Sequence, residues 1–403
     1  MRPIQISDKG VLELLGGHQE TEIDTALTEY GLDEDLLREY DLHEWRAQVV
    51  AGAVRVQGAR QDLYVKRSAL GCSALGRIDQ VLMRLHQCGV PVARLARTKY
   101  GDAFVSRPDG VFYATRAVAG HPPRLERVEV LMAATSLLAK WHAAALAAPG
   151  ELLSVHRLDI PGQLMNDLAR LEVYRQIALT KPGPDPEPGS VDEVFLQIRV
   201  GLAEEIRGVL VHLRNQDYPG VCRAALQSGS LCHGSFVRQN MVYQDNRLVI
   251  LDHDHVYAGP QVLDVAAFLR RYMRFQDWDG DVLEGALQAY QDIQTVNGAE
   301  RQMLPALLAY PEAVMRVLRW HYERIVTAPE DEVADALLRE WEWHQAARQT
   351  LLSRMGYCGQ ASQDGEARET MVYSGDSPFL GGEAEEEIPG LTRFWRSLRR
   401  YTD

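Results

Sequence analysis

The spacing of apolar positions changes along the chain, and each change predicts a different kind of structure. In the first third, residues 47–57 are rich in Val, and residues 62–67 form a second strand-like run after a Gly-containing turn. Two such runs predict a β-hairpin. Apolar residues then recur at helical spacing over residues 78–85, and residues 89–118 return to short strand-like pieces. This order predicts a small sheet that carries one helix.

From about residue 125 onward the pattern becomes almost entirely helical. Apolar residues keep a helical period over residues 125–146, 163–177 and 191–213, and the same period resumes later as far as Met355. One strand-like island, residues 231–251, interrupts this pattern. We therefore predict a mainly helical second part that contains one short β element.

Both ends of the chain differ from the middle. The first residues contain short, broken apolar stripes, which predict an N-terminal helical cap. Residues 359–389 are polar and acidic and predict a flexible linker, whereas residues 391–401 place aromatic and Leu side chains on one helical face and Arg on the other. The predicted boundaries are 1–45 for the helical cap, 46–118 for the sheet part, 119–356 for the helical part and 357–403 for the acidic tail with its terminal amphipathic helix.

The charge balance and the cysteine content exclude several classes of protein. Lys and Arg number 43 against 56 Asp and Glu, which gives a net charge of −13. A general nucleic-acid binder needs a basic stripe, so no nucleic-acid partner is expected. The five cysteines form no C-x-x-C pair, which argues against a disulfide framework and a zinc ribbon. With no signal peptide and no long apolar run, we expect a cytoplasmic protein without a membrane partner.

The strand-like island also contains a candidate metal site. Asn240 and Asp252 are separated by a stretch long enough for one tight hairpin, which would bring both residues to the same end. An amide oxygen and a carboxylate are ligands suited to Mg²⁺. If the extended run continues, Asp252 and Asp254 face one way while His253 and His255 face the other. A hydrolase metal cluster formed by these His and Asp residues is the alternative, and the alternation disfavours it.

These residues belong to an ordered motif. His233 is followed by a variable residue, Ser235, four further residues and Asn240; a hydrophobic run then ends in Asp252 and Asp254, and Gly259 and Pro260 precede Asp264. The order resembles the active-site block of the aminoglycoside phosphotransferase and choline kinase group. Within that group, the layout is most similar to the CotS family of spore coat kinase-like proteins.

Two features before the island extend the resemblance. Lys66 ends the predicted hairpin, and Gly120-His-Pro-Pro123 follows the predicted sheet at the position of a hinge. The resemblance implies an α+β, bilobal protein-kinase-like fold with a small antiparallel-sheet N-lobe and a mainly helical C-lobe. It also implies that ATP lies between the lobes, with the adenine against residues 114–119.

The resemblance further implies a role for each motif residue. Lys66 matches the lysine that contacts the ATP phosphates, and a helix residue, Asp79 or Gln80, would pair with it. The implied metal ligands for Mg²⁺ are Asn240, Asp252 and Asp254 within a catalytic-loop region of residues 231–264, and His233 and Asp264 match positions that hold the catalytic loop.

Ser235 departs from the family pattern, which has an aspartate at this position. The aspartate accepts or orients the proton of the attacking hydroxyl, whereas a serine hydroxyl is too weak a base to hold a proton at neutral pH. General-base assistance contributes roughly 10²–10⁴ in rate, so turnover is expected to be weakened or lost while ATP binding survives.

Two hypotheses therefore stay open. In the first, the protein transfers the γ-phosphate of ATP to the hydroxyl of a small-molecule acceptor that the sequence does not identify. In the second, it is an inactive pseudokinase that acts as a structural spore coat component. The second hypothesis predicts a coat-protein or self-assembly partner bound through the C-terminal tail, and a location in the spore coat.

Overall fold

The computed structural model describes residues 30–43, 45–50, 53–145, 155–180, 187–245, 247–325 and 328–357. All of them belong to Met1–Ala361, the larger of two compact units of the chain. Most of the predicted helical cap, the proline-rich residues 181–186 and all of the acidic tail after Tyr357 lie outside the described residues. Among the described helices, none is both long and apolar enough to cross a membrane.

A five-stranded antiparallel sheet forms the N-terminal part. Its strands, in spatial order, are β1 (Arg46–Val50), β2 (Ala53–Gln57), β3 (Asp62–Ser68), β5 (Gly110–Arg116) and β4 (Phe104–Arg107). The predicted single strand over residues 47–57 is wrong, because this stretch contains two strands in which Val50 pairs with Ala53.

A short helix, α1 (Glu34–Glu39), covers one face of this sheet. Asp33 caps its N-terminus, because the Asp33 carboxylate accepts a hydrogen bond of 2.7 Å from the backbone N–H of Leu36. Leu36 and Leu37 are fully buried and belong to the same apolar cluster as the inward-facing strand residues Val56 and Val65. Within the described residues, the predicted cap is thus part of the core of the sheet.

One long helix and one tight crossing connect the sheet to the rest of the molecule. Helix α2 (Cys72–Gln87) buries Leu75, Ile78 and Leu82, as its helical period predicted. Beyond the sheet, the backbone of His121 pairs with that of Tyr243, with hydrogen bonds of 3.2 and 2.8 Å. A Cβ atom on Gly120 would lie 2.6 Å from the Tyr243 carbonyl oxygen, so this close approach requires glycine.

The remainder of the described chain is mainly helical. The helices are α3 (Val128–Ala144), α4 (Val155–Leu158), α5 (Ile160–Thr180), α6 (Val191–Asn215), α7 (Tyr218–Ser228), α8 (Val262–Tyr272), α9 (Gly280–Gln291), α10 (Gly298–Ala309), α11 (Glu312–Tyr322) and α12 (Glu330–Met355). Helix α3 packs on α9, α5 on α6, α8 on α10, and α12 on both α6 and α11. The α+β fold that the resemblance implied is therefore confirmed, with an antiparallel-sheet N-terminal part and a mostly helical remainder.

The strand-like island and the residues just after it form two small sheets. In the first, β6 (Leu231–Cys232) pairs with β9 (Tyr257–Ala258). In the second, β7 (Met241–Gln244) pairs with β8 (Arg247–Ile250) as an antiparallel hairpin. The predicted hairpin between Asn240 and Asp252 is thus present, and the backbone N–H of Leu251 donates to the Asn240 carbonyl over 2.9 Å.

The contact of α1 with the sheet generates a stability prediction. Leu37→Ala should lower the free energy of unfolding by about 2–5 kcal/mol, because it removes a fully buried side chain and leaves a cavity beneath the sheet. Met83→Ala, on the 41% exposed Met83 of α2, is the control and should change it by less than about 0.5 kcal/mol. Urea unfolding measures both. An equal, small effect of the two changes would show that α1 does not stabilise the sheet.

Candidate active site

Lys66 of β3 joins the sheet to the helical part through two ion pairs. Its ammonium Nζ lies 3.0 Å from a carboxylate oxygen of Asp252 and 2.6 Å from one of Asp254. Strand β5 adds Tyr113, which is paired with Lys66 across the sheet and whose hydroxyl donates a hydrogen bond to Asp254. Residues from three separate stretches of sequence therefore meet at one point.

The surroundings keep Lys66 and Asp252 charged. Burial alone would lower the pKa of Lys66, but the attraction of Asp254 and Asp252 outweighs it and the pKa lies above its usual value. Burial would likewise raise the pKa of Asp252, and the charge of Lys66 reverses this shift, so the pKa is lowered. Without bound ligands, the lysine thus compensates carboxylates that would otherwise repel each other.

Asn240 lies in a 3₁₀ turn, Arg238–Asn240, directly before β7. Its amide nitrogen Nδ2 donates to the hydroxyl and to the backbone carbonyl of Ser235, both over 3.0 Å. Both bonds use Nδ2 and neither uses Oδ1, which is the atom that a metal ion would bind. The hydroxyl of Ser235 is therefore fixed beside the amide of Asn240.

The donor set fits a magnesium site of few protein ligands. Asn240, Asp252 and Asp254 offer oxygen atoms, and Mg²⁺ in phosphate-binding sites takes one or two carboxylates and completes its shell with water and phosphate oxygens. Among the described residues, no group of three or more His, Cys, Asp and Glu side chains could hold a metal ion alone. A metal at this place would thus need oxygens from a ligand as well.

Asp264 holds the backbone directly before Ser235 in place. Its buried carboxylate accepts hydrogen bonds from the backbone N–H groups of His233 and Gly234. His142 of α3 lies 3.1 Å from the same carboxylate through Nε2, and 2.6 Å from the Tyr290 hydroxyl through Nδ1. Burial would raise the pKa of Asp264, but the bond and charge of His142 and the backbone donors lower it. A buried charge thus fixes the loop.

Gly234 is required by the same turn. Its φ angle is +73°, and a Cβ atom there would lie 2.2 Å from the carbonyl oxygen of His255. The guanidinium of Arg157, in α4, donates to the Gly234 carbonyl over 3.0 Å and lies 2.9 Å from Nδ1 of His255. We call residues 233–240 the Ser235 loop. This loop and the segment after Asp254 are therefore held against each other by a backbone contact and by one arginine.

His253 points away from the two aspartates, into the core. It lies against the rings of Trp141 and His233, at centroid distances of 6.4 and 5.1 Å. The side chains of Asp252 and Asp254 thus face Lys66 while His253 faces the interior, as the predicted alternation required, although β8 ends at Ile250. The prediction is wrong for His255, which is exposed and does not share the buried environment of His253. This separation leaves no basis for a joint His and Asp metal cluster.

The predicted pairing of Lys66 with Asp79 is wrong. The carboxylate of Asp79 is instead bound by both guanidinium nitrogens of Arg97, at 2.9 and 3.0 Å, and Gln80 is exposed. Asp79 lies on the buried face of α2, where Arg97 from the following segment reaches it. Lys66 therefore has its partners in the helical part of the molecule and not on α2.

Sequence reasoning also missed three residues of the site. They are Tyr113, His142 and Arg157, which contact Asp254, Asp264 and the Gly234 carbonyl respectively. Tyr113 alternates along β5 with residues of the sheet core, so its strand position was the only local signal. His142 lies inside an apolar helical pattern, which predicts burial but no partner.

Comparisons with known proteins concern the family and the fold. The sequence profile described as "Phosphotransferase enzyme family" matches residues 49–305. Among solved structures, the chain is similar to an aminoglycoside phosphotransferase from Alicyclobacillus acidocaldarius, with a TM-score of 0.69 and 20% identity over 81% of this chain and 96% of the other. A search of curated protein sequences found no match.

Two further structures are similar to a lower degree. One is the AMP-bound complex of spectinomycin phosphotransferase APH(9)-Ia, with a TM-score of 0.51 and 13% identity over 81% of this chain and 97% of the other. The other is amicoumacin kinase hAmiN with AMP-PNP, Ca²⁺ and Ami, with a TM-score of 0.50 and 13% identity over 81% and 96%. At these identities the likeness shows the fold alone.

The buried ring of His233 generates a pH prediction. Burial lowers its pKa to about 4, so between pH 6.5 and 4 only the unfolded chain takes up this proton. The free energy of unfolding is thus expected to fall as the pH drops through this window, by up to about 1.4 kcal/mol per pH unit for this group. His233→Phe should make the fall shallower, whereas His86→Phe, on an exposed residue, should not. Urea unfolding between pH 7 and 4.5 measures the slopes, and equal slopes for wild type and His233→Phe would contradict the assignment.

Proposed function

Because the chain belongs to the phosphotransferase enzyme family, we propose that it transfers the γ-phosphate of ATP to a hydroxyl group of a small molecule. The observation on which this rests is the meeting of Lys66 with Asp252 and Asp254 beside Asn240. A phosphate-binding cation and metal-binding oxygens are the two components that phosphoryl transfer needs most.

The protein residues divide the work of binding. Lys66, released from the two aspartates when a nucleotide enters, would contact phosphate oxygens, and the aspartates together with Asn240 would hold Mg²⁺. When bound, the metal ion neutralises the charge of the phosphates and orients them. The similar structures with AMP, or with AMP-PNP and Ca²⁺, support a nucleotide and a divalent ion at a site of this kind.

Ser235 sets the expected rate. Its hydroxyl, held by Asn240 over 3.0 Å, is placed to accept a hydrogen bond from the hydroxyl of the small-molecule substrate or to donate one to it. It is too weak a base to take up the proton of that hydroxyl at neutral pH, so the general-base contribution of roughly 10²–10⁴ is absent. We infer slow transfer that depends on positioning by the bound nucleotide and metal ion. Asp264 and His233 keep the loop in place and do not touch the reacting atoms.

The second candidate function is that of an inactive pseudokinase. The serine at position 235 favours it, because a serine cannot act as the general base while the residues proposed for ATP and Mg²⁺ remain. The narrower resemblance to CotS and a role as a structural coat component belong to this second candidate. The tail through which a coat-protein or self-assembly partner would bind lies outside the described residues.

Nucleotide binding is tested by thermal unfolding with and without Mg-ATP. A ligand at a hundred times its dissociation constant stabilises the folded state by about 2.7 kcal/mol, so the unfolding midpoint of the wild type should rise. Asp252→Asn should abolish most of this rise, because it removes a metal-binding charge and keeps the shape of the side chain. Asp335→Asn, an equal change on the exposed face of α12, should leave the rise intact.

A wild type whose midpoint does not move with Mg-ATP would overturn the nucleotide site. A rise that Asp252→Asn and Asp335→Asn preserve equally would show that ATP binds elsewhere. Repeating the scan with ATP in excess EDTA should remove most of the stabilisation, because the phosphates then lack their counterion.

The base position is tested by Ser235→Asp. The new carboxylate can accept the same bond from Asn240, so ADP formation in the presence of a small-molecule alcohol should rise by roughly 10²–10⁴. ADP release is measured against a panel of amino sugars, amino alcohols and sugars, with Ser230→Asp as the control. Failure of Ser235→Asp to form ADP, with Mg-ATP still bound, would favour the pseudokinase over the enzyme.

A further inference from the structure

A second polar pocket lies in the helical part of the molecule, between the end of α8, the start of α11 and the middle of α12. Its volume is about 40 Å³. Four arginines and two glutamates line it, together with aromatic residues that include Trp343. We call it the arginine pocket; its charged residues are Arg270, Arg271, Arg274, Arg316, Glu312 and Glu340.

The arginine pocket contains more positive than negative charge. Two of its arginines have carboxylate partners: Arg274 lies 2.6 Å from Glu340 and Arg316 lies 3.0 Å from Glu312. The guanidinium of Arg270 donates to the backbone carbonyl of Leu307 over 2.6 Å, and within the described part of the chain Arg271 has no ion pair. Four guanidinium groups against two carboxylates leave an excess of two positive charges.

Part of this charge is poorly solvated. The Nε–H group of Arg274 is buried and has no hydrogen-bond partner among the described residues. Burial also lowers the pKa of Arg270, despite the neighbouring carboxylate of Glu312. A buried donor without a partner and a buried guanidinium both cost free energy, and an oxyanion is the group that satisfies both at once.

Packing alone does not account for the cluster. Arg270 lies over the ring of Tyr310 at 5.2 Å and Arg274 over that of Trp343 at 5.5 Å, and such cation–π contacts explain why two arginines lie against aromatic walls. They explain neither the excess charge nor the position of Arg271 at the pocket. A structural role would be served equally well by two arginines and two glutamates.

The arginine pocket is separate from the candidate active site around Lys66. Helix α8 turns Phe268 and Tyr272 toward the Ser235 loop: the ring of Phe268 lies 5.2 Å from that of Phe236, and the Tyr272 hydroxyl accepts a hydrogen bond of 2.6 Å from the backbone N–H of Arg238. Arg270 is two residues from each of them and thus points from the opposite side of the helix. The body of the helix therefore separates Arg270 from the Ser235 loop.

We propose that the arginine pocket binds the phosphate or carboxylate group of a small anionic molecule. Arginine forks bind such planar or tetrahedral oxyanions with paired hydrogen bonds, and the aromatic walls would cover an attached organic group. The small volume of the pocket and the overall charge of −13 disfavour a polyanion such as a nucleic acid.

The experiment is calorimetric titration of the full chain with inorganic phosphate and, separately, with citrate, at an ionic strength held constant with chloride. The wild type should bind at least one of the two anions, and the tighter one identifies the phosphate or the carboxylate class. Arg271→Gln should weaken binding at least tenfold, since this residue has no ion pair to lose. Arg223→Gln, an equal charge change on the exposed face of α7, should bind as the wild type does.

Two more variants locate the bound anion on the protein. Glu340→Gln removes a competing carboxylate and frees Arg274, so it should strengthen binding. Lys66→Met should leave anion binding unchanged, because the nucleotide site is elsewhere. Absence of binding by both anions, or binding that Lys66→Met abolishes and Arg271→Gln preserves, would overturn the proposal without affecting the proposed phosphotransfer.

Discussion

The pairing of Lys66 with Asp252 and Asp254 is the interaction on which the site depends, because it connects two parts of the chain that fold from different local patterns. Lys66 is placed by the register of β3 against β5, and the aspartates by the end of the β7–β8 hairpin. Two carboxylates this close repel each other unless a cation lies between them. Lys66 supplies that cation.

Asp264 plays the corresponding part beneath the Ser235 loop. Its buried carboxylate is compensated by backbone N–H groups and by His142, which in turn contacts Tyr290 on α9. The loop is thus tied to α8, α3 and α9 through one charge. Gly234 completes the arrangement, because a larger residue would collide with the His255 carbonyl. The geometry around Ser235 is therefore set by groups that take no part in chemistry.

How far the sequence predicts these features depends on how local they are. The β7–β8 hairpin and the opposite directions of Asp252 and His253 follow from spacing and alternation over a few residues, and both are present. The partner of Asp79 does not follow, because Arg97 reaches it only through the packing of α2 on the segment before β4. Tyr113 and His142 are of the same kind: their patterns predict burial, and only the assembled fold provides a carboxylate to contact. The split of residues 47–57 into two strands was missed because a Val-rich run carries no signal for reversal except one glycine.

Ser235 separates membership of the family from chemical competence. The residues proposed to bind phosphate and metal come from β3, from the 3₁₀ turn before β7 and from the segment after β8. Asn240 even uses its amide nitrogen to hold the serine hydroxyl, so the loop keeps its shape without a carboxylate. Under the proposed function, a serine at this position therefore costs rate and not structure. The fold and the proposed nucleotide site would then persist under selection for binding alone, and a measured turnover distinguishes a slow enzyme from a protein that has kept the site for another use.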